Sequence, residues 1–379
     1  MDQIFVTLKH GILDFAAGFL PDWIVALLSI KISIVAIAIL GPFTMMYLTL
    51  LERKVIGRMQ NRLGPNRVGK WGLLQPFADG IKMLTKEDII PKQADPLVHT
   101  LAPILIVIPA LLVFAVVPFG RNMTPVNLNV GLLYFIAISS TTTIAIFMAS
   151  WGSRNKFSLL GGFRSISQMI SYEVPLVLSV VPVVLATGTL STNGIVEAQS
   201  GGHWFVFTPW GFLAFIIFFL CGVAEVNRSP FDLPEGESEI VAGFHTEYSG
   251  MKFALFYMAE FMNSFTISGL AATLFLGGWQ GPWLPSWLWF FLKTYALIFV
   301  MIWFRGTLPR VRVDQLTGLA WKFLLPLTLI NIFVAAAWFF VKGPVKILGA
   351  ALVLTFSFWM LTKLNQVYTP EKREYVFAE

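Results

Sequence analysis

One cysteine, four histidines and few charges limit what this chain of 379 residues can do. Cys221 stands alone inside an apolar run, which excludes an internal disulfide and any all-cysteine zinc or iron–sulfur site within the chain. His10, His99, His203 and His245 show no metal-ligand spacing, so no metal site is expected. Charged residues make up 13% of the chain, about half the share of a soluble protein. There is no glycine-rich nucleotide loop, no haem-type histidine pair and no nucleophile–base pairing. Gly161-Gly162 lacks a strand context and reads as a turn. Any redox chemistry must therefore draw its electrons from elsewhere. No short cleavable leader precedes the first long apolar run, so that run is expected to act as its own insertion signal.

What is present is apolar: 56% of residues, with a mean hydropathy of +0.72. These residues come in long runs, the mark of an all-α polytopic membrane protein. Nine spans are predicted, at 23–50, 97–119, 128–150, 167–189, 208–226, 250–277, 284–304, 320–341 and 343–365. Lys342-Gly343-Pro344 joins the last two, so eight is the fallback count. All loops but one are too short to fold alone, which predicts a single membrane domain over 1–379.

Charge asymmetry sets the orientation. With the N-terminus outside, the inner side receives nineteen Lys and Arg and the outer side four (Lys9, Arg121, Lys342 and Lys346). The net charge of +6 is then topology and inner-face contacts, with no need of nucleic acid. The longest inner loop, 51–96, places Trp71, Leu74, Phe77, Ala78, Ile81 and Leu84 at helical spacing. That predicts an amphipathic helix over 71–84, too short to span, which either anchors on lipid or shapes a cavity mouth.

The acids are unevenly spread. Of 21, seven fall between residues 225 and 260: Glu225, Asp232, Glu235, Glu237, Glu239, Glu247 and Glu260. An acid in or near the bilayer marks an ion or substrate route by default. Glu260 is about 15 Å into its span at 1.5 Å per residue. Tyr257, Asn263, Ser264 and Ser268 share its helix face, a stripe suited to a wet interior. Glu173 follows Tyr172 in the fourth span, with Pro175 and Pro182 inviting kinks or water. Ser139-Ser-Thr-Thr-Thr143 is another hydrophilic patch, and Lys293 a possible cationic partner. Carboxylates in apolar surroundings can exchange protons near neutral pH and pass them along a hydrated chain. The bland alternative, a structural pair with Lys or Arg for each acid, fits one residue better than seven. The 227–249 loop offers only Arg228 as a partner.

Arginines gather at the same inner face. Glu52-Arg53 ends the first span, Arg62 and Arg67 flank a Gly-Pro turn, and Arg305, Arg310 and Arg312 follow the seventh span. Their forks suit carboxylates and can bond quinone oxygens, against the simpler reading of inner-side charge alone. Phe231 beside Asp232 offers an apolar wall next to an acid.

These residues resemble a known family. Gly72-Leu-Leu-Gln-Pro-Phe-Ala-Asp-Gly-Ile-Lys-Met-Leu-Thr-Lys-Glu87 and Pro230 to Gly243 are similar to the two signatures of the H-subunit family of respiratory complex I. Glu52-Arg53-Lys54, Gly64 to Gly69, Ser171-Tyr-Glu173, Thr246 to Gly250 and Leu308 to Gln315 also resemble family segments. Residues 1–22 and those beyond about 342 match poorly. The resemblance implies the quinone-pocket membrane subunit of proton-pumping NADH:quinone oxidoreductase, active only within that complex. It implies a quinone portal framed by the first span, the amphipathic helix and the sixth span. Glu52, Arg53, Arg62, Arg67, Asp79, Lys82, Phe231, Asp232, Arg305 and Arg310 would serve the quinone tunnel or its mouth. Glu235, Glu237 and Glu239 would form an acidic inner loop beneath it, within 227–249. Glu173, Glu225, Glu247 and Glu260 would continue an acidic path. No cofactor is expected on this chain. Quinone is the implied substrate, with FMN and iron–sulfur clusters in partner subunits. The implied partners are hydrophilic-arm subunits carrying the last cluster, small membrane subunits, antiporter-like subunits and membrane lipids. The implied location is the bacterial plasma membrane. Competing readings are the equivalent subunit of a membrane-bound hydrogenase or ferredoxin:plastoquinone oxidoreductase, a stand-alone transporter, or a passive anchor for the redox arm.

Overall fold

The long helices follow from the apolar runs, and their ends from local capping chemistry. In the computed structural model, residues 4–233, 241–341 and 345–367 are described. The chain opens with α1 (Ile4–Ala17) and α2 (Asp22–Met59). A short amphipathic helix, α3 (Gln75–Thr85), then precedes α4 (Pro96–Val113). The helices α5 (Gly131–Ser140), α6 (Thr142–Gly152), α7 (Lys156–Thr187) and α8 (Thr192–Ala198) follow. Next come α9 (Pro209–Glu225), α10 (Gly250–Phe275) and α11 (Ser286–Thr307). The last are α12 (Val313–Gly318), α13 (Leu325–Phe340) and α14 (Val345–Val367), with a π-helical turn over Leu319–Leu324. There is no strand among the described residues.

Starts are fixed by side chains that take up the orphan N–H groups of the first turn. Asp95 accepts from the N–H of Leu97 and Val98 at the start of α4, Asn155 from Phe157 at α7, and Thr208 from Gly211 at α9. Helix α7 ends at Gly188, whose φ of 67° needs the left-handed region.

Seven helical stretches among the described residues are long and apolar enough to cross a membrane. An eighth is the 200–207 and 209–225 pair, bent by 64°, if taken as one span. Helix α10 is not among them, because its polar stripe dilutes its hydropathy. Yet it is 26 residues long, and from Phe265 to Phe275 every residue is buried. It packs against α2, α4, α9 and α11. Enclosure by other helices explains how a span can carry Glu260, Asn263 and Ser264.

Several expected boundaries move. Helix α2 continues to Met59 instead of stopping near 50, so Glu52-Arg53-Lys54 sit on a rigid helix and not in the loop. Helix α7 starts at Lys156, eleven residues before the predicted span. The amphipathic helix starts at Gln75 and not at 71, because Trp71 and Gly72 have φ of 62° and 75°. The third span breaks at Thr141. There the hydroxyls of Ser139, Ser140, Thr141 and Thr142 bond carbonyls three residues back, a pattern that bends helices. Helix α1 was not anticipated; it lies against α2.

Gly161-Gly162 is no turn. Both lie within α7. A Cβ on Gly161 would sit 2.5 Å from the Cα of Gly243, so the inner loop rests directly on the helix backbone. Gly162 makes the same room for Ser150 of α6.

Candidate functional site

Three elements enclose a cleft of about 530 Å³. Met45, Met46, Glu52 and Arg53 come from α2, Asp79 and Met83 from α3, and Met251, Tyr257 and Phe261 from α10. Arg305 of α11 closes one wall, and Arg62 lies at the rim with its Nε donating to Gln60. Across the mouth, Arg53 Nη1 meets Asp79 Oδ2 at 2.6 Å, and Gln75 Nε2 donates to Asp79 Oδ1 at 3.1 Å. Arg53 is 53% exposed, so this pair adds about 0–1 kcal/mol and fastens α3 to α2 only lightly.

At the inner end of the cleft the charges are buried. Arg228 Nη1 lies 2.9 Å from Glu52 Oε2, and Arg228 Nε lies 2.9 Å from Glu260 Oε1. Arg305 Nη1 also pairs with Glu52. The Arg228 guanidinium rests on the Phe261 ring, 4.1 Å from its centroid. Two carboxylates and two guanidiniums thus form a cluster without net charge. Removing Arg228, whose side chain is 9% exposed, unbalances these buried charges, which costs about 3–5 kcal/mol. A void of about 20 Å³, room for one water, touches Glu52, Arg228, Ser264 and Arg305.

Beyond Glu260 lies a second cavity of about 40 Å³, enough for a few waters. Thr142, Glu225, Asn227, His245, Tyr257 and Asn263 contribute polar groups to it. Ser139 is in hydrogen-bond reach of Glu225, and Glu173 is close enough to act on Glu225 electrostatically. No cation lies within ion-pair distance of Glu173 or Glu225 among the described residues. The sequence's Glu52, Glu260, Glu225 and Glu173 therefore fall in one row, with Arg228 between the first two.

The inner loop sits beside this row. Gln168 Nε2 donates to the carbonyls of Ala224 and Phe231, each at 2.7 Å, tying the loop to α7. Phe231 is buried, and its ring lies 5.6 Å from that of Tyr172. Arg310 Nη2 meets Asp232 Oδ2 at 3.2 Å. Burial raises the Asp232 carboxyl above the usual range, while Arg310, Arg305 and Arg228 pull the other way. Burial lowers His245 to about 4, so the imidazole is neutral at pH 7. Glu247 accepts from Asn155 Nδ2 on the loop's far side and lines neither cavity.

Some expectations fall elsewhere. Arg67 and Lys82 are exposed and line none of these cavities. Lys293 does not partner the acids: its Nζ donates to the carbonyls of Leu276, Gly278 and Gln280, beyond the end of α10. Glu235, Glu237 and Glu239 lie outside the described residues. Sequence reasoning gave Arg228 only a passing role and missed His245. Arg228 stood out in the sequence as the lone cation of an acidic loop, but nothing there joined it to Glu52. No spacing distinguishes His245.

Residues 31–336 match the model of a family described as NADH dehydrogenase. The chain is 54% identical over 286 residues to the NADH-quinone oxidoreductase H subunit of Dehalococcoides mccartyi, covering 76% of this chain and 80% of that one. It is 48% identical over 335 residues to the second NADH-quinone oxidoreductase H subunit of Syntrophobacter fumaroxidans, with 86% and 98% covered. The corresponding H subunit of Geobacillus kaustophilus is 49% identical over 328 residues, with 84% and 97% covered. The chain belongs to the H-subunit family of NADH-quinone oxidoreductase. It is an integral membrane protein and a subunit that works with the other subunits of that oxidoreductase complex. In this H subunit the cleft, the arginine–carboxylate cluster and the loop tied to α7 are continuous in space.

Proposed function

We propose that the cleft between α2, α3 and α10 admits a quinone from the bilayer, and that the row Glu52–Arg228–Glu260–Glu225–Glu173 carries the coupling response into the membrane. One observation carries this reading. The ion pairs of Arg228 join an acid on the cleft wall, Glu52, to an acid on an internal cavity with room for water, Glu260. The cleft is largely apolar, with five methionines that can adapt to a flexible tail, and has charged groups at its mouth and at its inner end. FMN and iron–sulfur clusters belong to partner subunits in this reading and supply the electrons. Small membrane subunits and antiporter-like subunits would receive the response.

The residues of this chain then act electrostatically. Arg53 and Asp79 hold the mouth, and Arg305, Arg310 and Asp232 hold charge near the quinone's path. Quinone reduction takes up protons and changes the charge beside a cluster that is otherwise balanced. The cluster answers by moving a proton or by exchanging ion pairs, Glu225 receives the change through the small cavity, and Glu173 receives it from Glu225. In this reading the N-terminus is outside and the cleft's charged groups face the cytoplasmic side of a bacterial plasma membrane, and the positive-inside count supports that orientation.

The cleft reading has a direct test. Ala254 lines the cleft, so Ala254→Trp narrows it without replacing a charged group. In native membranes this variant should raise the KM for a short-chain quinone by about tenfold, equivalent to about 1.4 kcal/mol. Electron transfer from NADH to a water-soluble acceptor should be unchanged. An unaltered quinone KM in the assembled complex would reject the cleft as the entry route.

A further inference from the structure

A second opening, about 320 Å³ in volume, lies between α1, α2 and the end of α4. Ile34, Ile37, Leu111, Leu112 and Val126 make its walls apolar. Its one ionic group is Lys9, on a helix that the family's matched region does not include. Lys9 Nζ donates to Ser33 Oγ at 2.9 Å, and that hydroxyl donates to the Ser29 carbonyl. An ammonium carries three donors, so two remain for another acceptor. No carboxylate lies within ion-pair distance of Lys9 among the described residues.

Depth identifies what would meet this lysine. Ser33 and Glu52 lie nineteen positions apart on one helix, or about 28 Å at 1.5 Å per residue. That separation equals the thickness of a bilayer's hydrocarbon core, about 30 Å. If Glu52 marks one edge of the core, Lys9 and Ser33 stand at the headgroup level of the other, and the apolar walls run into the acyl region. An unpaired ammonium at headgroup level attracts anionic lipid.

We propose that this groove is a binding site for one anionic phospholipid, its phosphate on the remaining donors of Lys9 and an acyl chain along Ile34, Ile37 and Leu111. The occupant is a lipid and not a free anion, because the polar end is a single edge of an otherwise apolar groove. The bound lipid would brace α1 against α2 and α4 at the end of the molecule opposite the cluster. Charge selects the headgroup, and the walls are indifferent to chain identity.

The test uses the whole complex in vesicles containing photoactivatable phosphatidylglycerol or photoactivatable phosphatidylcholine, with labelled peptides mapped by mass spectrometry. Peptides covering 29–38 and 111–126 should take up the phosphatidylglycerol probe about fivefold more than the other. Lys9→Met should remove the preference, and Lys9→Arg should keep it. Ala38→Phe, which narrows the groove and leaves the charge, should lower labelling by both probes. Equal labelling by the two lipids, a preference that survives Lys9→Met, or cross-links from these peptides to another subunit in place of lipid would each overturn the proposal.

Discussion

Arg228 is the residue on which the inner cluster depends. It touches Glu52, Glu260 and the Phe261 ring at once, with 9% of its side chain exposed. Arg228→Gln should leave Glu52 with Arg305 as its remaining ion-pair partner, take the buried guanidinium away from Glu260 and cost about 3–5 kcal/mol, seen as a marked loss of assembled complex on a native gel. Arg228→Lys keeps the charge but has no fork to serve both acids, so it should assemble better than Gln and still turn over slowly. Equal assembly of wild type and Arg228→Gln would show that the cluster is not a structural unit. His245 gives a pH prediction. Its folded value, about 4, is below the ordinary 6.5, so the folded loop disfavours the imidazolium. The stabilisation is complete above pH 6.5 and is lost as pH falls from there towards 4, up to about 3 kcal/mol. Hydrogen exchange in residues 241–249 should therefore accelerate on acidification, after correction for the intrinsic rate. His245→Phe should abolish that acceleration, and an acceleration that persists would assign it to another group.

At the scale of elements, the loop after α9 is held by backbone fit as well as by charge. Gly243 sits against Gly161 with no space for a Cβ. Gly161→Ala should push the loop off α7 and lower quinone turnover severalfold, while leaving helix content by circular dichroism unchanged. Normal turnover would show that this contact does not position the loop. This close approach was not legible in the sequence, where Gly161-Gly162 read as a turn. A turn and a helix–loop contact use the same residue, and only the partner segment tells them apart. The spans were legible because long apolar runs have few soluble alternatives. The boundaries were less so: α2 and α7 continue past the apolar runs as ordinary helices, which hydropathy does not register. Trp71 shows the opposite error, since helical spacing held through a residue whose φ of 62° begins no helix.

At the scale of the whole molecule, the acids could be listed from the sequence but not ordered. Glu52 and Arg228 are 176 residues apart, and no spacing rule joins them. Packing of α10 between α2, α9 and α11 brings them together and sets Glu260 between the cleft and the water-sized cavity. The family and its membrane character follow from the comparisons; the direction of coupling is the proposal that needs measurement. The most direct test is NADH-driven quinone reduction and proton pumping, read together in native membranes carrying Glu225→Gln or Glu173→Gln. These two acids have no ion-pair partner among the described residues, so their loss should spare assembly. The account predicts that an assembled complex loses quinone turnover and pH-gradient formation together, by about 100-fold. Normal turnover and normal pumping in both variants would contradict it and leave this subunit as a passive anchor for the redox arm.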